Sequence, residues 1–212
     1  KSAMQWPLGA SPMFFDRAKG CNIYDVDGNK YIDYLLALLP IILGYRDSDV
    51  DRAVKKQINK GVIFSMSHPI EIELAEKLKN LIPYAQMVRF GKNGSDVLSA
   101  AIRLARAFTK KDIVLVAGYH GWHDWFIGST SRNAGVPREV SKLTKAFKFN
   151  DIESLKYNIK KYNNKIAAVV LEPDGLIAPT KDFLKELKHL CRRSGILIIF
   201  DEIVCGFRTS LG

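Results

Sequence analysis

Residues 196–204 read ILIIFDEIV, so five apolar residues are followed directly by two carboxylates, Asp201 and Glu202. A second apolar run, residues 166–171 (IAAVVL), also ends in a carboxylate, Glu172. Continuous apolar runs of this length are typical of parallel strands that helices cover on both faces. The two runs therefore predict an α/β domain with a mainly parallel sheet flanked by helices, and acidic side chains at the carboxyl ends of its strands.

Strand and helix periods alternate over the second half of the chain, as they do in βαβ units. This alternation predicts strands at residues 87–91, 113–117, 146–149, 166–171 and 196–200. It predicts helices at residues 96–108, 151–162 and 181–193. Two amphipathic helices are expected earlier, at residues 48–60 and 70–81, with Gly61 and Pro83 as their stop signals.

The first part of the chain is interpreted as an N-terminal arm. Short alternating runs at residues 21–26 and 30–34 flank Asp27-Gly28, a pair that is typical of a hairpin turn. The apolar run at residues 35–43 (LLALLPIIL) is interrupted by Pro40, and we expect it in the core. We therefore expect the arm and first helix over residues 1–60 and an α/β domain over residues 61–212.

The composition is that of an ordinary globular protein. The chain is 47% hydrophobic and 25% charged, and no apolar run approaches the roughly 20 residues of a membrane span. The net charge of +10 permits attraction to nucleic acid, but the lysines fall largely in helix-like windows, where a solvated helix face is the better explanation. Three widely spaced cysteines fit reduced thiols. We therefore expect a cytoplasmic protein with neither a membrane nor a nucleic-acid partner.

Ligands of open α/β sheets bind beyond the carboxyl ends of the strands, so the residues after each predicted strand form the candidate site. Gly94 and Ser95 open a predicted helix, where free amides favour an anion such as phosphate; a plain helix cap by Ser95 is the alternative. Tyr119, close to two glycines, offers a platform for a flat heterocycle. His120 and His123 are spaced like metal ligands, but no further ligand stands nearby, so no metal site is expected.

Carboxylates follow the two most apolar predicted strands. Glu172 either orders a ligand site or satisfies neighbouring backbone amides, and the sequence leaves both roles open. Asp201 and Glu202 are costly to bury unless a cationic partner is supplied. A protonated ring nitrogen of a ligand would be such a partner.

Taken together and in order, these strand ends resemble the class III aminotransferases, which use pyridoxal phosphate (PLP) and have PLP fold type I. The motifs that carry the resemblance are Gly94-Ser95, Tyr119-His120-Gly121, Glu172-Pro173 and Asp201-Glu202 followed by Gly206-Phe207-Arg208. The N-terminal part of the chain has the same resemblance, because residues 24–33 (YDVDGNKYID) are similar to the N-terminal hairpin of that family. The combination of motifs in this order is specific.

The resemblance implies that one set of residues binds the cofactor: Gly94, Ser95, Asp96, Tyr119, Glu172, Asp201, Ile203 and Val204. Asp201 would hold the pyridine nitrogen protonated, so that the ring acts as an electron sink. Gly94 and Ser95, with the backbone of Asp96, would hold the phosphate.

The faces of the cofactor ring are assigned by the same resemblance. Tyr119 would stack on one face, and Ile203 or Val204 would pack near the opposite face. Glu172 would lie beside the cofactor, whereas Arg208 is expected to be structural.

In this family the Schiff-base lysine lies a few tens of residues beyond the Asp-Glu pair, whereas ten residues follow Glu202 here. No lysine stands at the matching position, and Lys92 is expected at the surface or on the phosphate. We therefore expect an incomplete large domain without the catalytic lysine or the small C-terminal domain, inactive alone. The full-length protein is expected to be a homodimeric transaminase with a small-molecule amino donor and carbonyl acceptor.

Departures from the family pattern leave the substrate open. The phosphate loop reads KNGSD at residues 92–96, where the family commonly has Asn-Ser-Gly-Thr-Glu. The overall pattern is also similar to glutamate-1-semialdehyde aminomutases, so an intramolecular aminomutase is the alternative within the same chemistry. Two readings from other classes are a non-catalytic protein that binds PLP or a partner subunit, and a basic nucleic-acid binder suggested by the +10 charge.

Overall fold

The computed structural model describes residue 9 and residues 11–175 and 177–211. The chain divides into two compact units, one up to Glu73 and one from Leu74 onwards. Among the described residues, every helix is too short or too polar to cross a membrane. The predicted division at residue 60 stays a prediction.

The first unit contains a small antiparallel sheet of β1 (Phe15–Lys19), β2 (Asn22–Asp25) and β3 (Lys30–Ile32), in that order. The predicted hairpin is therefore present as β2 and β3. Asp25 holds its turn, since its carboxylate accepts hydrogen bonds from the amide of Asn29 (2.8 Å) and the hydroxyl of Tyr31 (2.9 Å). Strand β1 was not predicted, because its sequence FDRAK does not alternate.

The apolar run at residues 35–43 does not lie in a core. Leu36 to Leu39 all have positive φ angles, between 48° and 77°, which are rare for residues with a Cβ atom. The carboxylate of Asp33 stabilises this turn, because it accepts hydrogen bonds from the amide of Leu35 (2.8 Å) and the hydroxyl of Tyr45 (2.6 Å). Leu38 is half exposed and Leu43 more so, because the short strands of this unit offer little surface for burial.

Two helices follow, α1 (Ser48–Ile58) and α2 (Pro69–Leu81). The carboxylate of Asp47 caps α1 by accepting from the amides of Asp49 and Val50. Helix α1 ends two residues before the predicted bound, and Gly61 follows with a φ of 101°.

The second unit is built around a parallel sheet, as predicted. Its four strands in the described part of the chain are β4 (Ile113–Ala117), β5 (Thr144–Ala146), β6 (Ile166–Leu171) and β7 (Leu197–Phe200), in the spatial order β5-β4-β6-β7. The helices of this unit are α3 (Gly94–Thr109), α4 (Asp124–Ile127), α5 (Arg138–Ser141), α6 (Ile152–Lys161) and α7 (Phe183–Arg193).

Helices cover this sheet on both faces. Leu115 of β4 packs with Leu155 of α6 and Leu187 of α7 in one cluster of buried residues. Val114, the neighbour of Leu115, packs with Ile102 of α3 in a second cluster. Because successive side chains of a strand point to opposite faces, this alternation fixes which helices lie on which side. The α/β fold with a parallel sheet is confirmed.

Two predicted strands are wrong. Residues 87–91 form no strand, and no described strand pairs with them; Met87 is 91% exposed. The strand predicted at 146–149 lies at Thr144–Ala146 instead. Pairing with β4 begins at Thr144, whose hydroxyl bonds the carbonyl of Trp125, and Phe149 beyond it packs on Phe183 of α7.

Candidate functional site

The candidate site forms where three strands of the second unit end at the same level. The register pairs Ala117 of β4 with Leu171 of β6, and Leu171 with Phe200 of β7. The next residue after β6 is Glu172, and the next after β7 is Asp201, so two carboxylates stand at the carboxyl edge of the sheet. This edge is where open α/β sheets bind ligands.

Asp201 has a hydrogen-bonding partner within the chain. Oδ2 of its carboxylate lies 2.8 Å from Nδ1 of His120, and Oδ1 accepts a hydrogen bond from the amide of Ile203 at 3.2 Å. The other ring nitrogen of His120, Nε2, lies 3.1 Å from the carbonyl oxygen of Ala117. Both side chains are buried. His120 therefore contacts one oxygen of the carboxylate for which the sequence predicted a ligand nitrogen as the partner.

Sequence reasoning missed His120 because it was weighed only as a metal ligand. Its position three residues after the end of β4 was the available signal, since neighbouring parallel strands end at the same edge. Among the described residues, no group of three His, Cys, Asp or Glu side chains is placed to hold a metal ion. The second histidine, His123, instead has its Nδ1 2.7 Å from the hydroxyl of Ser99 on α3.

Helix α3 begins at the same edge, and its cap differs from the predicted one. Asn93, not Ser95, is the N-cap, because its side-chain oxygen accepts from the amide of Asp96 at 3.0 Å. The amides of Gly94 and Ser95 lie in the first turn, where no intrahelical acceptor exists. They are therefore available to an anion, whereas the amide of Asp96 is already engaged.

Two glycines allow the segments of this edge to approach closely. A Cβ atom on Gly94 would clash with Cδ1 of Ile203, which follows β7. A Cβ atom on Gly121, which follows β4, would clash with the hydroxyl of Ser95 on α3. The start of α3 is thus held against the loops that follow two different strands.

Tyr119 presents its ring to solvent beside these groups. The ring is 64% exposed and contacts Phe126 edge-on, with centroids 5.6 Å apart. It also lines a cavity of about 290 Å³ together with Phe149 and Glu172. One face of Tyr119 is therefore available for stacking. Ile203 is more than half exposed at the opposite loop, with Val204 next to it.

Glu172 lies in an environment that disfavours its charge. Partial burial raises the pKa of the Glu172 carboxyl, the negative charge of Asp201 raises it further, and His120 lowers it. The net effect is a pKa above the ordinary value for glutamate.

We expect Glu172→Gln to stabilise the chain at pH 7. The folded-state pKa is raised, so the native state penalises the carboxylate above that pKa but not below the unfolded-state pKa. The amide carries no such penalty at any pH. Urea unfolding at pH 7 should therefore show a higher midpoint for the variant, with the difference shrinking towards pH 4. The exposed Glu76→Gln is the control, and a pH-independent difference at residue 172 would contradict this account.

Gly121→Ala should destabilise the chain more than Gly135→Ala. Both glycines have positive φ angles, 93° and 85°, so both alanines carry the same backbone strain. Only at Gly121 does the added Cβ meet another atom, the Ser95 hydroxyl, whereas Gly135 faces open space. The expected excess is about 1 kcal/mol or more, measured by urea unfolding. Equal losses would show that the close approach is not required.

Comparisons with known proteins identify the family of this chain. A family model described as aminotransferase class-III matches residues 7–210. The chain is 40% identical to the 3-aminobutyryl-CoA aminotransferase of Cloacimonas acidaminovorans, over 96% of this chain and 50% of that protein. It is 42% identical to the glutamate-1-semialdehyde 2,1-aminomutase of Hyperthermus butylicus, over 95% of this chain and 51% of that protein. The chain thus spans about half the length of these curated relatives.

Solved structures with a similar fold are also found. An omega-transaminase from Sphaerobacter thermophilus superposes with a TM-score of 0.85 at 30% identity, covering 92% of this chain and 50% of that one. The FumI protein of a Sphingopyxis species, solved with PLP, superposes with a TM-score of 0.88 at 33% identity, covering 94% of this chain and 50% of that one. Because the family model matches nearly its whole length, residues 7–210, this chain belongs to the class-III aminotransferase family.

Proposed function

We propose that this chain is the cofactor-holding part of a PLP-dependent aminotransferase. The protein that carries it would transfer an amino group from an amino-acid or amine donor to a carbonyl acceptor. The observation that carries this proposal is the buried carboxylate of Asp201 at a sheet edge that also holds an exposed aromatic ring and a helix start. Membership of the class-III family supports the same reaction class.

The residues of this edge fit the chemistry of PLP on three counts. PLP has a phosphate group, a flat ring and a basic ring nitrogen. The free first-turn amides of α3 suit a phosphate, because helix N-termini favour anions. The exposed ring of Tyr119 suits stacking on a heterocycle, and the carboxylate of Asp201 suits a protonated nitrogen.

Each residue of the set then has a role that its surroundings support. Gly94 and Ser95 would bind the phosphate through their amides, with the hydroxyl of Ser95 as a further donor. The amide of Asp96 would contribute less, because Asn93 already accepts from it.

The ring of PLP would lie between two loops of the site. Tyr119 would cover one face, and Ile203 or Val204 the other. Glu172 would lie beside the ring, where partial burial and the charge of Asp201 raise the pKa of its carboxyl. When bound, PLP supplies an electron sink for the substrate carbanion. Asp201 would hold a proton on the ring nitrogen.

We also propose that the protein acts as a homodimer in the cytoplasm. Helix α3 buries Ile102 on one side but exposes Leu104 and Phe108 on another, at 70% and 75%. Exposed apolar side chains that share a helix face are typical of surfaces that another subunit or segment covers. The three cysteines are unpaired, including the exposed Cys21, which fits a reducing compartment.

Asp201→Ala should weaken PLP binding to the chain by roughly ten- to a hundredfold, because a hydrogen bond between charged groups is lost. The measurement is a titration with PLP followed by visible absorbance. Asp182→Ala is the matched control, since Asp182 directly precedes α7 and has an exposed side chain that caps no amide. Equal affinity of the two variants would contradict the assignment of Asp201.

An intramolecular aminomutase is the second candidate, favoured by the 42% identity to the aminomutase of Hyperthermus butylicus. The two reactions differ in their need for an external amino donor. We expect the protein that carries this chain to aminate a keto acid only when an amino donor is added. Isomerisation of glutamate-1-semialdehyde without a donor would instead establish the mutase. A longer coding sequence without a lysine that borohydride couples to PLP would contradict both.

A further inference from the structure

Positive charge is concentrated in residues 132–148, between α4 and α6. This stretch has five cationic residues and one acidic residue, so it carries +4 of the net charge of +10. A solvated helix face does not explain these charges, because the stretch contains one helix of four residues, α5, followed by β5. The positive charge of this stretch therefore needs another explanation.

Part of this charge surrounds a cavity of about 400 Å³. Its lining has three cationic residues, two other polar residues and one valine: Arg138, Lys142, Lys145, Asn133, Ser141 and Val136. Of the described residues that line it, none is acidic. The volume lies within the usual range of small-molecule sites, roughly 300 to 1,000 Å³. The cavity thus has the size of a ligand site and a lining that suits an anion.

The three cations of this cavity are not neutralised by the protein. Among the described ion pairs, none includes Arg138, Lys142 or Lys145. Glu139 stands three residues before Lys142, a spacing at which helical side chains can pair, but it forms none of these ion pairs. Lys145 is also partly buried, which weakens the hydration of a charged side chain. An anion in the cavity would supply the opposite charge.

The wall of the cavity is held in place by contacts within the chain. The amide of Val136 donates to the carbonyl of Asn133 at 3.1 Å, and the amide of Ser141 donates to the carbonyl of Pro137 at 3.1 Å. A Cβ atom on Gly128 would lie 2.9 Å from both Oγ of Ser141 and Cγ1 of Val136, so the residue after α4 packs directly against this wall. A wall that is already ordered lowers the entropic cost of binding.

This cavity differs from the candidate site in its position on the sheet. Lys142 precedes β5 and Lys145 lies within it, at the edge of the described sheet. The residues of the candidate site instead follow the carboxyl ends of β4, β6 and β7 or begin α3. The two sets share no residue. A ligand in the cavity would therefore use side chains that the candidate site does not need.

We propose that this cavity binds a small molecule that carries two linked phosphate groups. A phosphate monoester has a charge of about −1.5 to −2 at pH 7, so one phosphate group leaves part of the charge of three cations unbalanced. The guanidinium of Arg138 can donate two parallel hydrogen bonds to phosphate oxygens, and the lysines add ammonium charges. The concave shape favours a small molecule, since a nucleic-acid backbone needs cations along an extended surface. This inference does not depend on the proposed function.

The site is tested by calorimetric titration with inorganic pyrophosphate. We expect Arg138→Gln combined with Lys142→Gln to raise the Kd for pyrophosphate by roughly tenfold or more, because two charged hydrogen-bond donors are lost. The matched control is Lys185→Gln combined with Lys188→Gln, which removes two charges from exposed positions of α7 and should change the Kd little. Equal weakening by the two pairs would show attraction to the net charge alone and would overturn the proposal.

The class of ligand is tested with further probes on the unmodified chain. Pyrophosphate should bind more tightly than inorganic phosphate, and equal affinities would contradict a ligand with two phosphate groups. Binding of ADP at least as tight as that of pyrophosphate supports a nucleotide-like ligand, whereas weaker binding of ADP supports a free diphosphate. Duplex RNA or DNA that binds where pyrophosphate does not would overturn the small-molecule assignment.

Titration with PLP separates this inference from the proposed function. The variant with Arg138→Gln and Lys142→Gln should bind PLP as the unmodified chain does, and circular dichroism controls for its folding. Loss of PLP binding by the folded variant would overturn the separation of the two sites. A chain that binds PLP but not pyrophosphate contradicts this inference alone, whereas a chain that binds pyrophosphate but not PLP contradicts the proposed cofactor alone.

Discussion

The register of the parallel strands is the constraint on which the candidate site depends. Ala117, Leu171 and Phe200 are paired across β4, β6 and β7, so the residues that follow them start from one level of the sheet. Residues that are far apart in sequence, such as His120 and Asp201, meet there for this reason. A slip of one residue in any of these pairings would turn every side chain of that strand to the other face.

His120 and Asp201 form a buried, hydrogen-bonded pair at this edge. Removing one partner of a buried ion pair is strongly destabilising, but replacing both by well-packed apolar residues is often neutral or favourable. The contact of His120 with Asp201 holds one oxygen of the carboxylate in place directly after β7. Partial burial and the charge of Asp201 raise the pKa of the neighbouring Glu172 carboxyl.

The site holds groups suited to a cofactor more clearly than groups that select a substrate. The aminotransferase of Cloacimonas acidaminovorans and the aminomutase of Hyperthermus butylicus match the chain at 40% and 42% identity over nearly the same residues. Two reactions are thus compatible with one arrangement of strand ends. The cavity of about 290 Å³ beside Tyr119 is the part of this edge with room for a further group.

The sequence by itself determined the strands whose side chains are buried on both faces. Residues 113–117 and 166–171 have the predicted bounds, and helices on both faces of the sheet bury nearly all of their side chains. The local sequence pattern likewise predicted the hairpin around Asp27-Gly28 and the acidic residues at the strand ends. The strand predicted at residues 87–91 is absent, because a strand forms only where a neighbouring strand pairs with it and no described strand does so here.

Only the tertiary structure decided which groups partner each other. Asp201 was recognised as needing a cation, but His120 lies 81 residues away and reaches it through the pairing of β4, β6 and β7. The N-cap of α3 is Asn93 rather than the predicted Ser95. The backbone conformation before the helix decides which side chain accepts from the amide of Asp96. Sequence pattern identified the polar residues of the edge, whereas the strand register and the helix start determined their hydrogen bonds.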